Sequence, residues 1–148
     1  LEAEQPVGAY ALLDRLRGAR RGAAPPTVYR ALDRQTGDWT AIKVLHRTAG
    51  SGLNVRRFAR EARILSELRH PGVVSYVDSG ETSDGLHYIA MEWLEGEDLA
   101  RRLSRSPLTV KEARLLLLRV AAALTCAHQH GIVHRDIKPS DGVGAFLV

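Results

Sequence analysis

Near the start of the chain, hydrophobic positions tend to recur at every second residue. The alternation is loose over Tyr10 to Arg17, clearer over Thr27 to Asp33, and clearest over Trp39 to His46. A period of two is the mark of a half-buried strand. Gln35-Thr36-Gly37-Asp38 offers turn residues between the second and third segments, which predicts a hairpin. Gly18 to Pro26, built of Gly, Ala, Arg and two prolines, predicts a loop between the first and second. Past Gly50-Ser51-Gly52 the period lengthens. Val55, Phe58, Ala62, Ile64, Leu65 and Leu68 share one face at about 100° per residue. A helix is therefore predicted from about Asn54 to Arg69, ended by His70-Pro71. Two more strands are predicted at Val73 to Val77 and His87 to Trp93, around the turn-rich stretch Ser79 to Gly85.

After Trp93 the pattern changes. Leu94-Glu95-Gly96-Glu97 reads as a short linker, and helical periodicity follows. Asp98 is placed to cap a short helix. Thr109-Val110-Lys111-Glu112 has the spacing of a capping box, opening a long helix to about His130. The fold class expected is α+β. A strand-rich front of five antiparallel strands with one helix spans 1–93, a linker 94–97, and a partial helical back 98–148.

Composition narrows the function classes. Across 148 residues, 45% are hydrophobic and 26% charged, which suits a globular chain with a core of its own. The net charge of +4 draws on many arginines between Arg15 and Arg34. These alternate with Leu12, Leu13, Leu16, Val28 and Ala31, as on the wet face of strands, so nucleic-acid binding is not expected. Cys126 is the only cysteine, which rules out an intrachain disulfide and fits a reducing cytoplasm. No signal peptide is visible. The longest apolar stretch, Leu115 to Ala127, is broken by Arg119 and too short for a bilayer, so no membrane association is expected of this segment.

Within the predicted helix, Glu61 falls inside the apolar arc, between Leu65 and Leu68 on the helical wheel. A carboxylate there must find a partner or stay neutral. On the preceding strand Ala41, Lys43 and Leu45 share one face, so Lys43 also points at apolar surroundings. The two are natural partners. A structural ion pair and a functional one stand equally open on this geometry, because buried pairs are a weak route to stability.

His134-Arg135-Asp136-Ile137-Lys138-Pro139-Ser140-Asp141 resembles the catalytic loop of protein kinases, H-R-D-x-x-x-x-N. The lysine two residues after the aspartate is typical of serine/threonine kinases. Other matches fall in the family's order. Thr40-Ala41-Ile42-Lys43 resembles the V-A-I-K strand, Arg60-Glu61-Ala62 the helix C glutamate, and Met91-Glu92-Trp93-Leu94 the gatekeeper and hinge. On these residues the chain is identified as a member of the eukaryotic-type protein serine/threonine kinase family, of bacterial kind. The resemblance runs from about residue 9 to 141.

The resemblance implies a two-lobed kinase fold, ATP and Mg²⁺ as cofactors, and a protein Ser/Thr hydroxyl as substrate. It implies that Lys43 holds the α- and β-phosphates and pairs with Glu61. Val28 and Ala41 would sandwich the adenine, Met91 limit the pocket's depth, and the backbones of Glu92 and Leu94 hold the adenine edge. Asp136 would orient the substrate hydroxyl and accept its proton, Lys138 neutralise the transferred phosphoryl group, and His134 pack beneath the site.

The chain departs from the family in three places. Counting back from Val28, the glycine positions of G-x-G-x-x-G-x-V hold Arg21, Ala23 and Pro26. Gly18 and Gly22 are the loop's candidate phosphate-binding glycines, set too far from Val28 for the pattern. Pro25 and Pro26 offer no N–H to a phosphate. Asp141 stands where the metal-binding asparagine belongs, as a candidate oxygen ligand for Mg²⁺. The 148 residues end at Val148 without a D-F-G, an activation segment or an A-P-E. The expectation is a kinase domain in part, cut from something longer. The alternative is a non-catalytic pseudokinase or remnant that binds a nucleotide or a protein. Made alone, the chain is expected to self-associate through uncovered faces of the 109–130 helix. A monomeric sizing profile with cooperative thermal unfolding would overturn that.

Overall fold

The computed structural model describes residues 6–15, 27–45, 52–133 and Ile137. In chain order the elements are β1 (Pro6–Val7), β2 (Tyr10–Arg15), β3 (Thr27–Asp33), β4 (Trp39–Leu45) and α1 (Gly52–Glu67). β5 (Tyr76–Glu81), β6 (His87–Glu92), α2 (Leu99–Arg105) and α3 (Val110–Gln129) follow. The strands form one antiparallel sheet in the order β1-β2-β3-β4-β6-β5. The expected five strands gain a sixth, β1, which at two residues is too short to show a period. The chain divides into two compact units, Leu1–Ser66 with Tyr76–Trp93 and Glu67–Ser75 with Leu94–Val148.

In the first unit, alternation sorts the side chains of β4 onto two faces. Ile42 and Val44 join Val7, Tyr10, Ala31, Tyr88 and Ala90 in one core. Leu45 and Ile89 meet Phe58 and Ala62 of α1 in another, with Val55, Leu65, Tyr76 and Met91 packed around them. Ile42, Ile89, Ala31 and Ala90 have no exposed surface. The β3–β4 turn is held by the Gly37 N–H, which donates to the Asp33 carbonyl at 2.8 Å with Gly37 at φ 80°.

The strand expected at 73–77 lies further on, at Tyr76–Glu81. Ser79 and Gly80 looked like turn residues but sit inside it. The Tyr88 ring packs against Gly80, where an added Cβ would come within 3.0 Å of the Tyr88 hydroxyl. The turn shrinks to Thr82–Leu86, where the Thr82 N–H donates to the Leu86 carbonyl at 2.9 Å. The helix also begins and ends about two residues earlier than expected. Past it, the Gly72 N–H donates to His70 Nδ1 at 2.9 Å, closing a turn where the strand had been expected to start.

In the second unit the Asp98 side chain accepts from the Arg101 N–H at 2.7 Å and caps α2. Thr109 and Glu112 form the capping box of α3. Glu112 is held below its ordinary value, first by the hydrogen bond from the Thr109 backbone N–H. Ala123 is the one fully buried residue of α3, whereas Val110, Leu115, Leu117 and Leu118 are between 49% and 88% exposed. A helix apolar on nearly all sides is built to be covered on more than one of them. Among the described residues no helix is long and apolar enough to cross a membrane.

Tyr88 ties the first unit's sheet together. Its hydroxyl donates to Asp78 Oδ2 at 3.1 Å, and its ring meets Tyr10 edge-on at 5.9 Å. Burial, above all, pushes both phenols up from 10.0 to about 12, with Asp78 adding to each. The folded state therefore favours the neutral phenols. The stability they contribute is complete below pH 10 and is lost as pH rises through about 12. In an ultraviolet titration, Tyr10 and Tyr88 are expected to ionise late and together with alkaline unfolding. Tyr88→Phe should remove one late step and cost about 1 kcal/mol at neutral pH. Ionisation of Tyr10 and Tyr88 near pH 10 would overturn this.

Candidate active site

Two elements bring the charged pair together. β4 presents Ala41, Lys43 and Leu45 toward α1, and α1 docks through Phe58 and Ala62 on Leu45 and Ile89. Glu61 stands three residues after Phe58 and next to Ala62, so the docked helix carries it to the strand. Lys43 Nζ donates to Glu61 Oε1 at 2.5 Å. The pair is wetter than the apolar arc implied, with side chains 23% and 42% exposed. At that exposure an ion pair is worth about 0–1 kcal/mol, so stability alone is a poor reason for it.

The register places the other expected residues beside Lys43. Val28 pairs with Lys43, and Lys43 with Ile89. Ala41 lies one row away, between Arg30 on β3 and Met91 on β6. Residues opposite one another in an antiparallel ladder share a face. Val28, Ala41, Lys43 and Met91 are therefore grouped on the side of the sheet that faces α1. Each is half-buried. Glu92 pairs with Thr40 in the opposite-facing row. Leu94 belongs to the second unit. Gly18, Gly22, His134, Asp136, Lys138 and Asp141 lie outside the described residues.

One residue of this face escaped the sequence pattern. Arg30 was assigned with the other arginines to the wet side of the strands, and its side chain is indeed 38% exposed, but it has neighbours that the pattern did not show. It shares the face of Lys43 and stacks on two indoles, its guanidinium carbon 4.8 Å from the centre of Trp39 and 5.9 Å from that of Trp93. It also forms an ion pair with Asp14 of β2. Period-two alternation from Val28 could have placed Arg30 on this face. A separate concavity of about 360 Å³ opens between α1 and β5–β6, lined by Phe58, Ala62, Arg63, Tyr76, His87 and Tyr88. It contains neither Lys43 nor Met91.

A strand lysine gripped by a helix glutamate, beside an apolar row on adjoining strands, is the arrangement shared by protein kinases. The family model described as "Protein kinase domain" matches residues 22–141. The chain belongs to this family. Among similar kinases, the serine/threonine-protein kinase pkn3 of Myxococcus xanthus is 40% identical over 116 residues, 77% of this chain and 21% of its own length. The serine/threonine-protein kinase PrkC of Bacillus subtilis is 42% identical over 120 residues, 80% of this chain and 18% of its own. The chain thus spans about a fifth of these curated relatives. The solved kinase domain of PknI from Mycobacterium tuberculosis superposes with a TM-score of 0.75 at 32% identity, covering 95% of this chain and 57% of that one. In kinase terms, the sheet with α1 is that of the N-terminal lobe, and the helices after Leu94 begin the C-terminal lobe.

If the Lys43–Glu61 pair serves position rather than stability, its energetic coupling is small. A double-mutant cycle with Lys43→Met and Glu61→Gln is expected to return at most about 1 kcal/mol in unfolding free energy. A coupling of about 3 kcal/mol or more would make the pair a structural one.

Proposed function

We propose that this chain is the nucleotide-binding part of an ATP-dependent protein serine/threonine kinase, a transferase acting on Ser and Thr hydroxyls. The observation that carries the reading is the Lys43–Glu61 contact on the face shared by Val28, Ala41 and Met91. Lys43 has three N–H donors and Glu61 takes one, which leaves the ammonium free to meet phosphate oxygens. Ala41 carries only a methyl group, the smallest side chain on the face that it shares with Val28 and Met91. The residues present fit a nucleoside triphosphate.

In this reading Glu61 holds Lys43 against the α- and β-phosphates, and docking of α1 decides whether it can. Val28 and Ala41 cover the adenine, Met91 closes the inner end, and the backbones of Glu92 and Leu94 take the base edge. Mg²⁺, when bound with the triphosphate, would neutralise phosphate charge; Asp141 would be its ligand from this chain. Asp136 orients the attacking hydroxyl and accepts its proton, and Lys138 screens the phosphoryl group. Phosphoryl transfer rests mainly on positioning and charge, and the D-F-G aspartate through which the family holds its metal is not among these 148 residues. The domains follow: an N-terminal lobe over 1–93, a hinge at 94–97 and part of a C-terminal lobe over 98–148. Cytoplasmic placement of this segment accords with its solitary cysteine.

The second reading, a nucleotide- or protein-binding module without transfer, is favoured by Pro25, Pro26 and Asp141. Two measurements separate the two. Mg·ATP at about 100 times its Kd is expected to stabilise the chain by about 2.7 kcal/mol, read as a rise in Tm, and Lys43→Met is expected to abolish the shift. In the longest natural form of the protein, radiolabel transfer from ATP to a Ser/Thr protein should vanish with Asp136→Ala. No shift with Mg·ATP overturns the nucleotide reading. A shift without Asp136-dependent transfer selects the non-catalytic one.

A further inference from the structure

The structure offers one residue beyond this machinery. Arg30 sits in the row of Ala41 and Met91, next to the row of Val28 and Lys43. Its guanidinium lies over the rings of both Trp39, the first residue of β4, and Trp93, the residue that follows β6. Trp93 directly succeeds Glu92, whose backbone is proposed to hold the adenine edge. Arg30 also binds Asp14 across the β2–β3 pair. A single side chain thus joins β2, β3, β4 and the end of β6.

Two features show that this grip is built rather than incidental. The register of β2 against β3 slips between Leu12 and Asp14, so that Leu12 opposes Ala31 but Asp14 opposes Arg30. Without the extra residue, Leu13 would oppose Arg30 and Asp14 would fall on the other face. A bulge re-aims a side chain in this way. Arg30 Nε, moreover, is buried and has no hydrogen-bond partner among the described residues. The guanidinium is engaged there through its flat faces, which a lysine could not reproduce.

We infer that Arg30 is a positioning residue for base recognition, holding the Glu92–Trp93 backbone at the distance that an adenine edge requires. The inference rests on the nucleotide reading above. Loosening the stack lets the strand end drift while leaving Lys43 paired with Glu61. The loss therefore falls on the base and spares the phosphates, because small misplacements cost most where directed hydrogen bonds are made. Adenine donates from its amino group where guanine offers a carbonyl, so a drifting edge erodes the preference between them.

The test is titration of the full chain with Mg·ATP and Mg·GTP. Arg30→Met is expected to weaken ATP about ten-fold and GTP little, narrowing the ATP-to-GTP ratio. Arg30→Lys should fall between Met and the wild type, and Trp39→Phe, which keeps a ring over the guanidinium, should restore most of the ratio. Trp39 and Trp93 are the only tryptophans of the 148 residues, so their emission reports the stack directly. ATP should shift that emission in the wild type but not in Arg30→Met. A merely structural role would weaken both nucleotides by one factor, and that result overturns the inference, as does an unchanged ratio in Arg30→Met. Should Arg30→Met fail to fold, the ratios in Arg30→Lys and Trp39→Phe decide alone. Wild type that binds neither nucleotide overturns the underlying reading, and the inference falls with it.

Discussion

The antiparallel ladder joining β3, β4 and β6 is the constraint from which the rest of the first unit follows. Its register makes Val28, Lys43 and Ile89 one row and Arg30, Ala41 and Met91 the next. Residues between them, Ile42, Val44 and Ala90 among others, turn the opposite way into a closed apolar core. A slip of one residue would exchange the two sets, burying Lys43 in that core and exposing Ile42. The apolar content of the core therefore locks the register, and the locked register presents Lys43. The charged site depends on a packing decision made on the other side of the sheet.

Docking of α1 is the second consequence. Phe58 and Ala62 find Leu45 and Ile89 on the face that the ladder leaves to them. Glu61 is carried to Lys43 by that apolar contact rather than drawn there by charge. The exposure of the pair supports this order of causes, since a half-wet ion pair holds little energy of its own. Such a pair is free to act as a gauge. Making or breaking a contact of that exposure costs the fold little either way. Protein kinases need that property of this contact.

Much of this was legible from residue types and spacing. Period two placed Lys43, period 3.6 placed Glu61, and the match to the kinase loop supplied the family. The hairpin turn at Gly37 and the caps at Asp98 and Thr109 were local signals with local causes. β5 was misplaced because Ser79 and Gly80 carry turn chemistry, while the Tyr88 ring that packs against Gly80 belongs to another strand. β1 went unseen because two residues show no period. Arg30 was assigned to water because an arginine in an alternating strand ordinarily points there. Its two indoles come from positions 39 and 93, and its carboxylate arrives only through a bulge.

The sequence by itself therefore determined the family, the two charged partners and the elements that carry them. Those follow from short-range periodicity and from residue types whose chemistry has few other uses. Only the tertiary structure decided how wet the Lys43–Glu61 contact is, where β5 runs, and that Arg30 lies over Trp39 and Trp93. Each of these depends on which strands become neighbours and in what register. That choice is made by the whole core at once, and no single stretch of the chain contains it.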